Sequence, residues 1–114
     1  MVEEGGSRIL EADYQMELRK KIEEEVLPGS IVQKNDPNDI QGFPDLNVYY
    51  KGKTAIIEVK KDAKAPYRPN QEYYLDKFGK DGHYTNTIYP ENEEEVLHEL
   101  QQALQSKITC LPIT

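Results

Sequence analysis

Residues 42–60 read GFPDLNVYYKGKTAIIEVK, and the turn at their centre decides how the rest is placed. Two β-prone runs, LNVYY and TAIIEV, flank Lys51-Gly52. Tyr50-Lys51-Gly52-Lys53 suits a two-residue hairpin loop, because glycine tolerates the positive φ that such loops need. Tyr50 then pairs with Lys53, so the numbers of facing residues sum to 103. That register sets Asp45 opposite Glu58. Side chains alternate along a strand, so Glu58 and Lys60 share a face, and Asp45 faces the same way. Two carboxylates side by side repel unless a cation or a shared proton intervenes. With the Lys60 ammonium on the same face, the cluster has the composition of a hydrolytic site.

Pro44-Asp45, then twelve residues, then Glu58-Val59-Lys60 resembles the signature of the PD-(D/E)XK nuclease superfamily. Within it the chain is most similar to the VRR-NUC (virus-type replication–repair nuclease) domain, in its stand-alone, phage-like form. The matching positions are Glu11, Lys34, Gly42-Phe43-Pro44-Asp45-Leu46, Glu58-Val59-Lys60 and Gln71, over roughly residues 8 to 100. The E-x-K triplet alone is a weak signal. The ordered set of Asp, hairpin, E-x-K and Gln is more specific. The resemblance implies a restriction-endonuclease-like core and a metal-dependent DNA endonuclease. Asp45, Glu58 and the Val59 carbonyl would bind Mg2+ or Mn2+, with Glu11 directly or through water, since hard oxygen ligands suit these ions. The ion would lower the pKa of a water and stabilise a phosphorane-like transition state. Lys60 would orient that water or stabilise the same charge. Gln71 would position the nucleophile or a phosphate oxygen. Lys34 would lie near the site as a phosphate contact. Stand-alone relatives resemble dimeric Holliday-junction resolvases, which implies a homodimer acting on branched DNA such as junctions or flaps.

The chain of 114 residues is read as one domain, residues 1–114, with a core over about 8–105. Net charge is −7, which at first sight opposes a nucleic-acid partner. Its distribution does not. Residues 51–80 carry 8 basic and 4 acidic groups, net +4, while residues 1–50 are net −6 and residues 81–114 net −5. Positive charge therefore gathers around Glu58-Val59-Lys60, although lysines also crowd hairpin turns simply as solvated charge. The single Cys110 excludes an internal disulfide and fits a reducing, cytoplasmic setting, a bacterial host cell if the chain is phage-encoded. No apolar run is long enough for a membrane span, and the acidic start MVEEGG is the wrong sign for a signal peptide.

Along the chain, Ser7 is the expected N-cap of a helix over Arg8–Val26. Leu10, Tyr14, Leu18, Ile22 and Val26 form its apolar stripe. Glu11 falls within that stripe. An inward carboxylate needs a partner, and a metal is one. The alternative is a half-exposed Glu supporting the helix dipole in the first turn. Pro28-Gly29 ends the helix and Ser30–Lys34 is a short strand. Asn35–Gly42 is a loop in which Asp36 and Asp39 read as turn formers. After Lys60 the two prolines keep Ala65–Pro69 extended or turned. Lys61, Lys64, Tyr67 and Arg68 make a basic loop with an aromatic. Basic groups contact phosphates, and a Tyr can stack on a base or sugar. Asn70 is the expected cap of a helix over Gln71–Gly79 that buries Tyr74, Leu75 and Phe78. His83–Tyr89 is a further strand, with His83 a strand-end residue rather than a ligand. Glu91–Gln105 is a helix with Val96, Leu97, Leu100 and Leu104 on one face and Glu93, Glu94 and Glu95 as a solvated face. The tail from Ser106 to Thr114 reads as extended, a late strand or a dimer contact.

Helix, strand, hairpin, helix, strand, helix is the order of an α/β fold with a mixed central sheet flanked by helices. Two readings compete with the nuclease. One is a DNA-binding module of the same fold without catalysis, which the intact Asp-Glu-Lys set opposes. The other is an acidic protein that binds a protein partner or mimics DNA. The net charge permits that reading, but the basic stretch 51–80 does not fit it.

Overall fold

A computed structural model describes residues 10–106. The chain reverses at Lys51 (φ 48°) and Gly52 (φ 83°), both with positive φ, as a primed two-residue turn demands. Strands β2 (Leu46–Tyr50) and β3 (Lys53–Val59) leave this turn antiparallel, with Tyr50 opposite Lys53 and Leu46 opposite Ile57. The expected register is the observed one. Strand β1 (Ile31–Lys34) adds antiparallel to β2, and β4 (Tyr84–Ile88) adds parallel to β3, giving the sheet order β1-β2-β3-β4. The sheet is mixed because β3 and β4 are joined by a crossover through helix α2 (Gln71–Lys80).

Alternation sorts the two faces of the hairpin. Leu46 and Val48 on β2, with Ala55, Ile57 and Val59 on β3, are fully buried and point to one side. Helix α1 (Glu11–Lys21) covers them with Tyr14 and Leu18, and helix α3 (Glu93–Gln105) with Val96, Leu97, Leu100 and Leu104. Asp45, Ile56, Glu58 and Lys60 point to the other side, which α2 covers. There α2 is held by an aromatic group: Phe43 lies 5.2 Å from Tyr74 and 5.7 Å from Phe78, ring centroid to centroid.

Several local details differ from expectation. The first helix turns π-helical at Ile22–Val26, with Leu27 N–H donating to the Ile22 carbonyl at 2.8 Å. A stripe repeating every four residues drifts ahead of a 3.6-residue turn. The wider turn takes up part of that drift and brings Leu27 into the core. Leu10, expected in the stripe, is 65% exposed. Asn70 precedes α2 in a left-handed conformation (φ 74°) and makes no side-chain cap. Pro90–Asn92 is a 3-10 turn, and α3 begins only at Glu93. Glu93 is not a solvated residue: it accepts hydrogen bonds from Tyr14 Oη at 2.9 Å and Lys21 Nζ at 2.7 Å, tying α3 to α1. The proposed cap Ser7, Cys110 and all of the tail but Ser106 lie outside the described residues.

Both outer strands have a mid-strand peptide closed off by side chains. On β1, Val32 N–H donates to Glu23 Oε2 at 2.8 Å and the Val32 carbonyl accepts from Arg19 at 3.3 Å. On β4, Thr87 N–H donates to Asn86 Oδ1 at 2.7 Å and the Thr87 carbonyl accepts from Asn92 Nδ2 at 3.1 Å. No helix among the described residues is long and apolar enough to cross a membrane.

Candidate functional site

The two ends of the hairpin away from its turn carry Asp45 and Glu58. Asp45 precedes β2, and its Oδ2 accepts from the Val59 N–H at 2.9 Å. That bond pins the carboxyl beside the backbone of its cross-strand neighbour, as the register requires. Glu58 has no exposed surface. One of its oxygens, Oε2, accepts from Gln71 Nε2 at 2.5 Å and lies 3.5 Å from Lys60 Nζ. The other, Oε1, is buried with no hydrogen-bond partner. Burial first, and then the negative charge of Asp45, push the Glu58 carboxyl up to about 8, against the pull of Lys60.

Lys60 follows β3 and is itself buried. Its Nζ donates to the Pro66 carbonyl and to Gln71 Oε1, both at 2.8 Å, and sits 5.3 Å above the Tyr67 ring. Its backbone N–H donates to Ile88 O at 2.9 Å, extending the parallel pairing by one residue. Gln71 opens α2 and is also buried. Sequence reasoning turned its amide toward water or a phosphate. Here both polar atoms are engaged inside the protein: Nε2 on Glu58, Oε1 taking Lys60 and the Arg68 N–H at 2.6 Å. Gln71 therefore bridges the carboxyl and the ammonium and fixes their spacing.

Glu11 begins α1 and is half-buried. Burial raises its pKa first and the charge of Asp45 second, while Arg68, Lys60 and the Gln15 amide lower it. Those causes couple Glu11 electrostatically to Asp45, Arg68 and Lys60, and its half-burial agrees with an inward position in the stripe. Among the described residues, no three His, Cys, Asp or Glu side chains close on one point where an ion could sit. The close carboxyl pair is Asp45 and Glu58, with Glu11 near enough for its charge to act on both. An oxygen-seeking cation fits this pair on one observation in particular: the bare, buried Glu58 Oε1 next to a second carboxyl. Glu11 would join such an ion directly or through water.

A cleft of about 330 Å3 opens beside the pair, lined by Asp45, Arg68 and Gln71 together with the loop around Pro37–Phe43. Gly42 (φ 80°) closes one wall: a Cβ there would strike the Pro69 carbonyl and lie 2.7 Å from Asn70 Cβ. A larger depression, about 430 Å3 around Gly52–Thr54 and His83, lies at the turn end of the hairpin, away from the carboxyl pair. Chemistry rather than volume picks the site.

The expected nucleic-acid contacts divide. Lys61, Lys64 and Arg68 are exposed on the loop that follows Lys60, and Tyr67, 42% exposed on the same loop, hydrogen-bonds Thr87 Oγ1 at 2.8 Å. Lys34 is exposed at the end of β1, one residue before Asn35, whose N–H donates to the Asp45 carbonyl at 2.8 Å. Sequence reasoning did not single out Gln15, which is buried one turn after Glu11 on the same helix. Its spacing of four from Glu11 was the available signal. Comparison with protein-family models, curated proteins and solved structures found no match to this chain.

Proposed function

We propose that this chain is a metal-dependent DNA endonuclease of the VRR-NUC type within the PD-(D/E)XK superfamily, cutting phosphodiester bonds. The observation that carries the reading is Glu58. It is a fully buried carboxyl with one bare oxygen, held beside Asp45 and bridged to a buried lysine. Burying an acid beside a second, half-buried one is costly, and a cation offsets that cost. A Mg2+ or Mn2+ ion held by Asp45, Glu58 and the Val59 carbonyl, with Glu11 directly or through water, supplies Lewis acidity and a water of lowered pKa. Asp45 is held for this by the Val59 N–H, and Glu58 by Gln71. Lys60 keeps a positive charge fixed beside the carboxyl pair, where it stabilises negative charge gathering on the phosphate. Gln71 acts on the reaction by keeping Lys60 and Glu58 in place. Lys61, Lys64 and Arg68 hold the DNA backbone, with Lys34 on the far side of Asp45, and Tyr67 offers a partly exposed ring. Branched DNA as the substrate, and a homodimer as the working form, rest on the resemblance.

Purified protein incubated with linear, flapped and four-way DNA tests the reading. Cleavage is expected in Mg2+ or Mn2+ and is expected to stop with chelator. Protein that cuts none of these in either metal would sink it, and DNA binding without cutting would leave a binding module of the same fold.

A further inference from the structure

The cleft of about 330 Å3 beside the carboxyl pair has two walls from different parts of the chain. The loop before β2 brings Asn38, Gln41 and Phe43, and the loop before α2 brings Arg68 and Pro69. Asp45 lines the same cleft, so whatever enters it meets the acids. Both walls are held from within. Asn38 N–H donates to Asp36 Oδ1 at 2.8 Å and Phe43 N–H to the Ile40 carbonyl at 3.1 Å, while Arg68 N–H donates to Gln71 Oε1 at 2.6 Å. Gly42 lets the walls meet, since a Cβ there would strike the Pro69 carbonyl.

The lining matches one nucleotide. Ligand sites run from about 300 to 1,000 Å3, so this one takes a single small unit rather than a duplex. Phe43 and Pro69 are its apolar members, suited to the flat face of a base. Asn38 and Gln41 are exposed, and among the described residues neither side-chain amide makes a hydrogen bond. An amide carries donors and an acceptor together. Base edges carry both as well, whereas a phosphate offers acceptors alone and would leave the amide oxygen idle. Arg68 supplies the cation that a phosphate needs. The loop's own acids, Asp36 and Asp39, line the neighbouring depression beside Gln33 and Tyr49 instead.

We propose that Gln41 and Asn38 are specificity-determining residues: the cleft takes the nucleotide next to the cut phosphate, and their amides hydrogen-bond the edge of its base while Arg68 holds its phosphate. The inference rests on the nuclease reading above and adds to it a base preference at one position. A bidentate amide–base pair discriminates by about fivefold or more.

Flapped and four-way DNA with a randomised stretch around the branch, cut by the full chain in Mn2+ and sequenced at the product ends, tests it. Wild type is expected to enrich one base about fivefold or more at a position flanking the cut. Asn38→Ala with Gln41→Ala should flatten that enrichment while the protein still cuts. If the double variant does not fold, Gln41→Glu takes its place and should move the preference toward cytosine, whose amino group a carboxylate accepts. Wild-type cutting with no preference overturns the proposal and leaves the nuclease reading standing. So does an unchanged preference in the variant, or loss of cutting on every base alike, which is damage to the acids rather than lost discrimination. Wild-type protein that cuts nothing overturns both.

Discussion

Gln71 Nε2 donates to Glu58 Oε2 across 2.5 Å, joining the first residue of α2 to the penultimate residue of β3. The same amide takes Lys60 and the Arg68 N–H on its oxygen, so one side chain satisfies three neighbours. Gln71→Ala leaves these groups short of partners in a dry place. An unsatisfied buried group costs about 1–3 kcal/mol, so the variant should melt several degrees lower. Glu72→Ala, an exposed neighbour on the same helix turn, should shift the melt little. Thermal melts of both variants check this; an unchanged melt for Gln71→Ala would show that the bridge contributes nothing to the fold.

Asp45→Asn should separate a carboxyl pair from an ordinary surface acid. The Asn Oδ1 can still accept from Val59 N–H, while the charge that pushes up Glu58 is gone. In chelator at pH 9, above the value of about 8 at which Glu58 gives up its proton, the variant should melt higher. Near pH 6 that advantage should shrink, because Glu58 then holds a proton. Added Mn2+ should stabilise the wild type by about 2.7 kcal/mol at a hundredfold excess over its dissociation constant, and the variant much less. A destabilised variant with an undiminished Mn2+ response would rule out the paired site.

Glu58 also sets a pH dependence. Its carboxyl rises from 4.5 to about 8 on folding, so the folded chain holds this proton more tightly than the unfolded one. Its contribution to stability is complete below pH 4.5 and is lost as pH climbs through about 8. Within that window the loss is on the order of 1 kcal/mol per pH unit. Melts in chelator between pH 5 and pH 9 should therefore fall more steeply for wild type than for Glu58→Gln, which cannot ionise. Parallel curves for the two proteins would mean that the buried acid does not titrate in this range.

Gly42→Ala should act through geometry. The position combines a positive φ with no room for a Cβ against Pro69 and Asn70. Strain of this kind costs about 1–3 kcal/mol, and relieving the clash must also move the loop that walls the cleft. Gly52→Ala has a similar φ but meets nothing within 4 Å, so it should cost less and leave the cleft alone. Melts rank the two, and cleavage assays on both should show a loss of activity for Gly42→Ala beyond what its stability explains.

How much of this the sequence disclosed follows from distance along the chain. The turn at Lys51-Gly52 is local chemistry, and once it is fixed, alternation carries the register out to Asp45 and Glu58. Helical periodicity turned Glu11 inward, and its half-burial agrees; a role at the site came only from the family resemblance. Gln71 was found as a position, but the engagement of its amide was not, because its partners include the Arg68 peptide and a lysine whose burial depends on the loop between them. Glu93 looked solvated for the same reason: Tyr14, its partner, is 79 residues away, and no local pattern reports such a contact. Asn70 has the residue type of a cap but takes a left-handed backbone, which asparagine tolerates better than most residues, so the residue type fitted two roles and only one was read.

The side chains that close the peptides of Val32 and Thr87 have a consequence for assembly. An exposed strand edge invites another chain to pair with it, in productive dimers and in aggregates alike. Here a newcomer on either flank would first have to displace Glu23 and Arg19, or Asn86 and Asn92, from the backbone groups it needs. A two-copy assembly that continued the sheet would have to break these bonds first, so contacts through helices or loops come at lower cost. The same plugs guard the monomer against runaway edge-to-edge stacking at the concentrations where a short, partly open sheet is most exposed to it.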